Sequence, residues 1–121
     1  MTLQQLLAIE LPILQAPMAG VQGSAMAVAV SNAGGLGSLP CAMLSPDAMR
    51  KELATIQAQT DKPLNVNFFC HTPVAANSER EAGWRATLAP YYNEYGIDSR
   101  TIATGPGRTP FSHEAAELIS E

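Results

Sequence analysis

Short apolar runs alternate with helical patterns in the first part of the chain, and this alternation is the feature that most restricts the fold. The runs predict three strands, over residues 13–18, 36–39 and 64–69, and the segments between them predict two helices. Only a few residues link each element to the next. Strands that alternate with helices in this way pair in parallel with right-handed crossovers. The sequence therefore predicts an α/β fold.

Capping residues indicate where the helices begin. Thr2 predicts the start of a short helix over residues 3–9, and Ser24 predicts the start of the next helix. The helix after the second strand begins at Ser45, where "SPD" combines a cap, a proline in the first turn and an acid at the positive end of the dipole. Its predicted apolar stripe consists of Met49, Leu53 and Ile56.

The alternation stops after Phe69. Ser78 predicts the start of a helix that Pro90 interrupts, residues 97–112 are rich in Gly, Pro, Thr and Ser and are expected to form a loop, and a last helix is expected to begin near Ser112. A continuing alternation would next supply another strand. We therefore expect the chain to be only part of a domain.

Composition argues against several classes of function. The net charge is −4 and the seven Lys and Arg residues are scattered, so we expect no nucleic-acid partner. No apolar run approaches the roughly 20 residues that cross a bilayer, and no basic segment followed by an apolar one predicts a signal peptide. Two cysteines, Cys41 and Cys70, are too few for a secreted disulfide scaffold. A cytoplasmic protein without a membrane partner is the expectation.

The segment "QAPMAG" and Asn67 mark a candidate ligand site, because ligands of parallel α/β folds bind at the carboxyl ends of the strands. Pro17 offers no N–H, Gly20 allows the backbone to come close to a neighbour, and Met18 offers a polarizable surface to a flat aromatic ligand. The Asn67 amide can donate and accept at the edge of a heteroaromatic ring. These residues could also be an ordinary exit from a strand into a loop and an ordinary asparagine in a turn. Composition alone favours this ordinary structural interpretation over a ligand site.

Other kinds of site have little support in the sequence. Cys41, Cys70 and His71 lack the close spacing of metal ligands, so no metal is predicted. No serine is paired in sequence with a histidine and an acid, as a hydrolase requires. The segment "GGLGS", residues 34–38, lacks G-x-G-x-x-G spacing and precedes a strand, so it is expected to end a helix and turn tightly rather than bind phosphate.

Four segments of the chain resemble, in order and spacing, the N-terminal third of nitronate monooxygenases, formerly called 2-nitropropane dioxygenases. They are "LPILQAPMAG", "AVAVSNAGGLGSL", "LSPDAMRKEL" and "DKPLNVNFF". Members of this family are FMN-dependent (β/α)8 TIM-barrel enzymes that oxidise alkyl nitronates with O2, which implies a detoxifying role. The resemblance implies that residues 1–121 are the incomplete N-terminal part of a single FMN-binding TIM-barrel domain, about three βα units, with residues 73–111 as an inserted helix and loop.

The resemblance also implies which residues contact the flavin. The implied FMN contacts are Ala16, Pro17, Met18 and Asn67. Gly37 and Ser38 lie near the same rim and are not among them. The catalytic base of the family is a histidine on the fourth strand, in a segment like "SFHFG", and no such segment occurs here. His71 and His113 do not match it, so no catalytic residue is assigned.

The chain is less than half of the roughly 250 residues of a complete barrel. Three parallel strands would leave an unpaired edge and an apolar inner face. We therefore expect the isolated chain to aggregate or stay loosely folded, to retain little FMN and to be inactive. Two alternatives remain open: a related flavin enoyl-thioester reductase that uses NAD(P)H and an acyl carrier, and a non-catalytic fragment. The long insertion favours the oxygenase.

Overall fold

The computed structural model describes residues 1–102 and 109–120, which fall into two compact units. The first unit contains the described residues of 1–71 and 109–120, and the second contains residues 72–102. The elements of the first unit are α1 (Leu3–Leu7), α2 (Ser24–Asn32), β1 (Gly37–Pro40), α3 (Pro46–Gln57), β2 (Leu64–Asn67) and α5 (His113–Ser120). Those of the second are α4 (Ser78–Glu94) and a 3-10 helix (Ser99–Thr101). This is the α/β class that the sequence predicts.

The two strands form a parallel pair, which confirms the predicted pairing. The register aligns Gly37 with Leu64 and Pro40 with Asn67, and α3 connects the two strands in sequence. The N–H of Cys41 donates to the Asn67 carbonyl at 2.9 Å, so backbone pairing continues just past the end of β1.

The segment predicted as the first strand, residues 13–18, is where the structure departs most from the prediction. Leu14 forms a single parallel bridge with Leu36, and the N–H of Gln15 donates to the Leu36 carbonyl at 2.9 Å. Beyond Gln15 the pairing stops, because Pro17 has no N–H with which to extend a ladder. The prediction of a strand over this whole range is therefore wrong. Strand β2 also ends two residues earlier than predicted.

One face of the two-stranded sheet packs against the helices and forms the core. Side chains alternate between the faces of a strand, and Leu39 of β1 and Val66 of β2 both lie on the helix side. The stripe predicted on α3 packs there: Met49 and Ile56 are buried and Leu53 packs against them. The buried residues of this core are Ala27, Val28, Leu39, Cys41, Met49, Ile56 and Leu118.

Helix α2 approaches β1 closely at Gly37. A Cβ at Gly37 would overlap the carbonyl oxygen of Ala27 and lie 2.7 Å from Ser31 Oγ. The buried Ser31 hydroxyl accepts the Gly37 N–H at 3.1 Å and donates to the Pro63 carbonyl at 2.8 Å. Just beyond α2, Gly34 has φ +93°, a left-handed conformation that commonly ends a helix, and the segment "GGLGS" thus ends α2 as expected.

The predicted helix starts are confirmed in two places and corrected in a third. Thr2 forms a complete capping box at α1, and the Ser45 hydroxyl accepts the Ala48 N–H at α3. Ser24 is not the cap of α2, since Gly23 holds that position and Ser24 is already helical. Its N–H instead donates to the carboxylate of Glu52 on α3 at 2.7 Å. The Glu52 carboxylate, which lies outside α2, thus accepts a hydrogen bond at the helix start in place of a capping side chain.

In the second unit, α4 runs unbroken from Ser78 to Glu94, so the predicted interruption at Pro90 is wrong. Asn77 caps its start by accepting the Arg80 N–H at 2.8 Å, and hydrogen bonding resumes past the proline, where the Tyr95 N–H reaches the Tyr91 carbonyl at 3.0 Å. A proline removes only its own donor, and an exposed helix surface lets water satisfy the freed carbonyl.

The loop predicted over residues 97–112 is described only in part, because residues 103–108 lie outside the described residues. Ser99–Thr101 forms the short 3-10 helix, and the final helix starts at His113 with Ser112 Oγ accepting the Ala115 N–H, as predicted. Within residues 1–102 and 109–120, no helix has both the length and the apolar character needed to cross a membrane.

Candidate functional site

The sheet face turned away from α2 and α3 is polar. Because Leu39 and Val66 point toward the helices, Ser38, its register partner Asn65, and Asn67 lie on the opposite face. The expectation that the inner face would be apolar is therefore wrong for these two strands. The sequence contained a signal for this: in "LNVNFF" the polar residues recur at every second position, which is the period of a strand with one polar face.

Ser38 is the centre of a hydrogen-bond network on this polar face. Its buried Oγ donates to the Gln15 carbonyl at 2.7 Å and accepts from Asn65 Nδ2 at 3.1 Å. Its backbone N–H donates to Gln15 Oε1 at 3.1 Å. Its carbonyl accepts from Gln15 Nε2 at 3.3 Å and from Gln22 Nε2 at 2.9 Å. These four residues, the Ser38 network, join β1 to β2 and to the segments around Gln15 and Gln22.

The Gln22 amide is only half satisfied. Its Nε2 is committed to the Ser38 carbonyl, while its buried Oε1 has no partner among the described residues. Gln22 also lines a cavity of about 490 Å³ together with Glu52, Leu39 and Met43. Hydrogen bonding from Ser24, through its hydroxyl and its backbone N–H, holds the pKa of Glu52 below its usual value. The positive end of α2 is thus already occupied by a carboxylate of the chain.

Residues 16–18 leave the sheet directly after Gln15. Ala16 and Met18 are exposed, Met18 to 44%, and Pro17 is half-buried. The backbone N–H groups of Ala16 and Met18 donate to no acceptor in the described part of the chain. This segment therefore presents free donors and an apolar side chain at the surface.

A tight turn follows this segment. The Val21 N–H donates to the Met18 carbonyl at 3.3 Å, and Gly20 has φ +85°, a conformation that favours glycine. No atom lies within 4 Å of the position that a Cβ on Gly20 would take. The positive φ of this turn explains the glycine, and no described residue makes a close approach to it.

Asn67 is the last residue of β2 and is half-buried. Its carbonyl accepts the Cys41 N–H, but its side-chain amide has no hydrogen-bond partner among the described residues, including Ala16, Pro17 and Met18. In the described part of the chain, the Ser38 network is the side-chain link between these predicted site residues: it joins Gln15, just before Ala16, to Asn65, two residues before Asn67. Sequence reasoning placed Ser38 near this rim without selecting it as a site residue, and it assigned no role to Gln15, Gln22 or Asn65.

The thiols and imidazoles do not form a second reactive centre. Cys41 is buried, and its burial raises the pKa of its thiol to about 11, whereas Cys70 is exposed. His71 is exposed with its ring 6.1 Å from that of Phe69, and His113 is the exposed first residue of α5. No group of three or more His, Cys, Asp or Glu side chains suited to a metal ion occurs within the described ranges.

Comparison with protein families finds a match to the model of nitronate monooxygenase over residues 1–103. The chain is 50% identical to a nitronate monooxygenase of Paraburkholderia phytofirmans over 91 residues, which cover 75% of this chain and 25% of the relative. It is 46% identical to the nitronate monooxygenase of Pseudomonas aeruginosa over 94 residues, covering 78% and 27%. The chain thus spans about a quarter of the length of these curated relatives.

Solved structures give a similar result. A nitroalkane oxidase from Streptomyces ansochromogenes matches with a TM-score of 0.66 at 29% identity, covering 91% of this chain and 29% of that one. FabK from Thermotoga maritima matches with a TM-score of 0.55 at 34% identity, covering 78% and 27%.

Proposed function

Since this chain belongs to the nitronate monooxygenase family, we propose that it is the N-terminal part of a longer FMN-dependent enzyme that oxidises alkyl nitronates of the propionate 3-nitronate type with O2. The observation that carries this proposal is the family match over residues 1–103, supported by relatives that are up to 50% identical. Because the chain covers about a quarter of those relatives, the activity is proposed for the whole protein. The isolated chain is proposed to be inactive.

The residues at the strand ends fit a flavin. Asn67 offers an amide that can both donate and accept and is not engaged by any described residue, and Ala16 and Met18 offer free backbone donors. Met18 adds an exposed thioether suited to an aromatic ring, and Pro17 limits the conformations of the segment. When bound, FMN would supply the redox chemistry with the nitronate and O2. The chain's own residues would hold and orient the ring.

The fold around this site is proposed to be a partial TIM barrel. The parallel strands with a connecting helix support it, as does the placement of Asn67 at a carboxyl strand end, where barrel enzymes bind ligands. Residues 73–111 would be the insertion, and the catalytic histidine would lie in chain beyond residue 121. We also propose a cytoplasmic setting, in which the free thiols Cys41 and Cys70 stay reduced.

The test is flavin binding by the longer protein, with two asparagine variants. The parent should purify with bound FMN and consume O2 when a nitronate is added. Asn67→Ala should weaken FMN binding about tenfold, because a hydrogen-bonding amide at the ring edge is lost. Asn93→Ala, an exposed position on α4, is the matched control and should bind FMN like the parent. A parent that binds no FMN would refute the proposal.

Two further measurements separate the alternatives. In stopped-flow experiments, the flavin of an oxygenase should be reduced rapidly by a nitronate and poorly by NADPH, whereas an enoyl-thioester reductase should show the reverse. FMN retention by the 121-residue chain alone tests the non-catalytic fragment. Retention as strong as that of the longer protein would contradict the proposed incomplete site.

A further inference from the structure

Gln15 is held at both its backbone and its side chain by Ser38. The Ser38 hydroxyl donates to the Gln15 carbonyl, and the two ends of the Gln15 amide bond the backbone N–H and carbonyl of Ser38. The Gln15 N–H also donates to Leu36. Gln15 is the last residue before residues 16–18, whose free N–H groups have no such anchor in the described chain. The direction in which that segment leaves the sheet is thus set at Gln15.

The Ser38 hydroxyl also fixes the second strand. Its single hydrogen is used on the Gln15 carbonyl at 2.7 Å, so toward Asn65 Nδ2 at 3.1 Å it acts as an acceptor. This orients the Asn65 amide with its nitrogen toward Ser38. One buried hydroxyl therefore links the residue before Ala16 to a residue on the same strand face as Asn67. No other side chain in the described residues bonds both of these segments.

We propose that Ser38 is a positioning residue, which sets the geometry of residues 16–18 relative to the end of β2 and so the shape of the ligand site. Ser38 acts through Gln15 and Asn65 and does not itself touch the ligand. The identity of that ligand as FMN rests on the proposed function, but the positioning role does not.

A merely structural role for a buried hydroxyl is the competing explanation, and Ser31 provides the matched control. Ser31 and Ser38 are each 1% exposed, and the Ser31 hydroxyl also makes two hydrogen bonds. Those bonds go to the Gly37 N–H and the Pro63 carbonyl, and neither of them joins Gln15 or Asn65. Ser31→Ala therefore loses a comparable buried hydroxyl without removing a hydrogen bond of Gln15 or Asn65.

The first measurement needs no ligand. Methionine methyl groups of the longer protein are labelled with 13C and the Met18 signal is assigned through Met18→Leu. Met18 and Met26 are both 44% exposed, so Met26 on α2 serves as the internal reference. Ser38→Ala should shift or broaden the Met18 signal and leave Met26 unchanged, whereas Ser31→Ala should leave Met18 unchanged. An unchanged Met18 in Ser38→Ala, or an equal change in both variants, would overturn the proposal.

The second measurement is FMN affinity at equal folded fraction. Ser38→Ala should weaken binding about tenfold and alter the visible spectrum of bound flavin, while Ser31→Ala should change affinity less than about twofold. Gln15→Leu, at a half-buried position, removes the two bonds between the Gln15 amide and the Ser38 backbone, and it tests the same anchoring of Gln15 if Ser38→Ala does not fold. If the parent binds no FMN, the proposed function fails, and the methyl signals still decide the positioning role.

Discussion

Adding one methyl group at Gly37 should force α2 away from β1. The new Cβ would overlap the Ala27 carbonyl oxygen and lie 2.7 Å from Ser31 Oγ, where ordinary contact begins near 3.4 Å. The obstacle is helix backbone, which cannot change rotamer as a side chain can. Relief therefore requires a shift of the whole helix by more than about 1 Å, since interiors are close-packed.

The expected cost follows from what such a shift opens. Ala27 and Leu39 are completely buried at this contact, so moving α2 breaks close packing on both elements. Overpacking of a core usually lowers the free energy of unfolding by about 1–3 kcal/mol. Because the obstacle at Gly37 is helix backbone, we expect Gly37→Ala to lower it by about 3 kcal/mol. At about 2 °C per kcal/mol for a larger protein, the melting temperature of the longer protein should fall by about 6 °C.

Gly83→Ala is the control, because it adds the same methyl group where no atom lies within 4 Å, inside α4. Helix propensity predicts that it is neutral or stabilising by up to about 1 kcal/mol. Both variants are melted by calorimetry, and hydrogen exchange of α2 peptides should accelerate only in Gly37→Ala. If Gly37→Ala melts within 1 °C of the parent, the close approach of α2 to β1 is refuted.

Two further predictions concern ionisable groups. At pH 8, iodoacetamide should modify Cys70 and spare Cys41, as measured by peptide mass spectrometry. A thiol pKa of about 11 leaves Cys41 with about a hundredfold less thiolate than a thiol with the usual pKa of 9.0. Equal labelling of the two cysteines would contradict this. Glu52→Gln should lower stability at pH 7 by less than about 1 kcal/mol, since the partly exposed carboxylate loses its charged bond to Ser24. Because the folded pKa of Glu52 lies below 4.5, this contribution is present above pH 4.5 and disappears below it, so calorimetry should find parent and variant converging at low pH.

Local signals in the sequence were sufficient for much of the fold. The caps at Thr2 and Ser45 depend on residues within one turn of the helix, and both are confirmed. The strand over residues 13–18 was wrong because a strand depends on partners far along the chain, and apolar composition does not reveal whether those partners are present. The cap at Ser24 failed for the same reason, because its acceptor, Glu52, is 28 residues away in sequence.

The candidate site shows the same division between local and distant information. Asn67 stands out in sequence because it is a polar residue at the end of an apolar strand. Ser38 does not stand out, since its partners Gln15 and Asn65 are 23 and 27 residues away and an isolated serine before a strand end has many explanations. The alternating polarity of "LNVNFF" was the available sign of a polar face, and it pointed to Asn65 as well.

The two faces of the short sheet have different roles, and substitutions at the neighbouring residues Gly37 and Ser38 should distinguish those roles. Gly37 faces the helices, so a change there should act on stability and leave the ligand affinity of the folded protein intact. Ser38, the next residue, faces the polar side, where the Asn67 amide lies without a partner among the described residues. An unused amide on a polar face is what a binding surface needs, and this is why we propose ligand recognition for this side of the sheet.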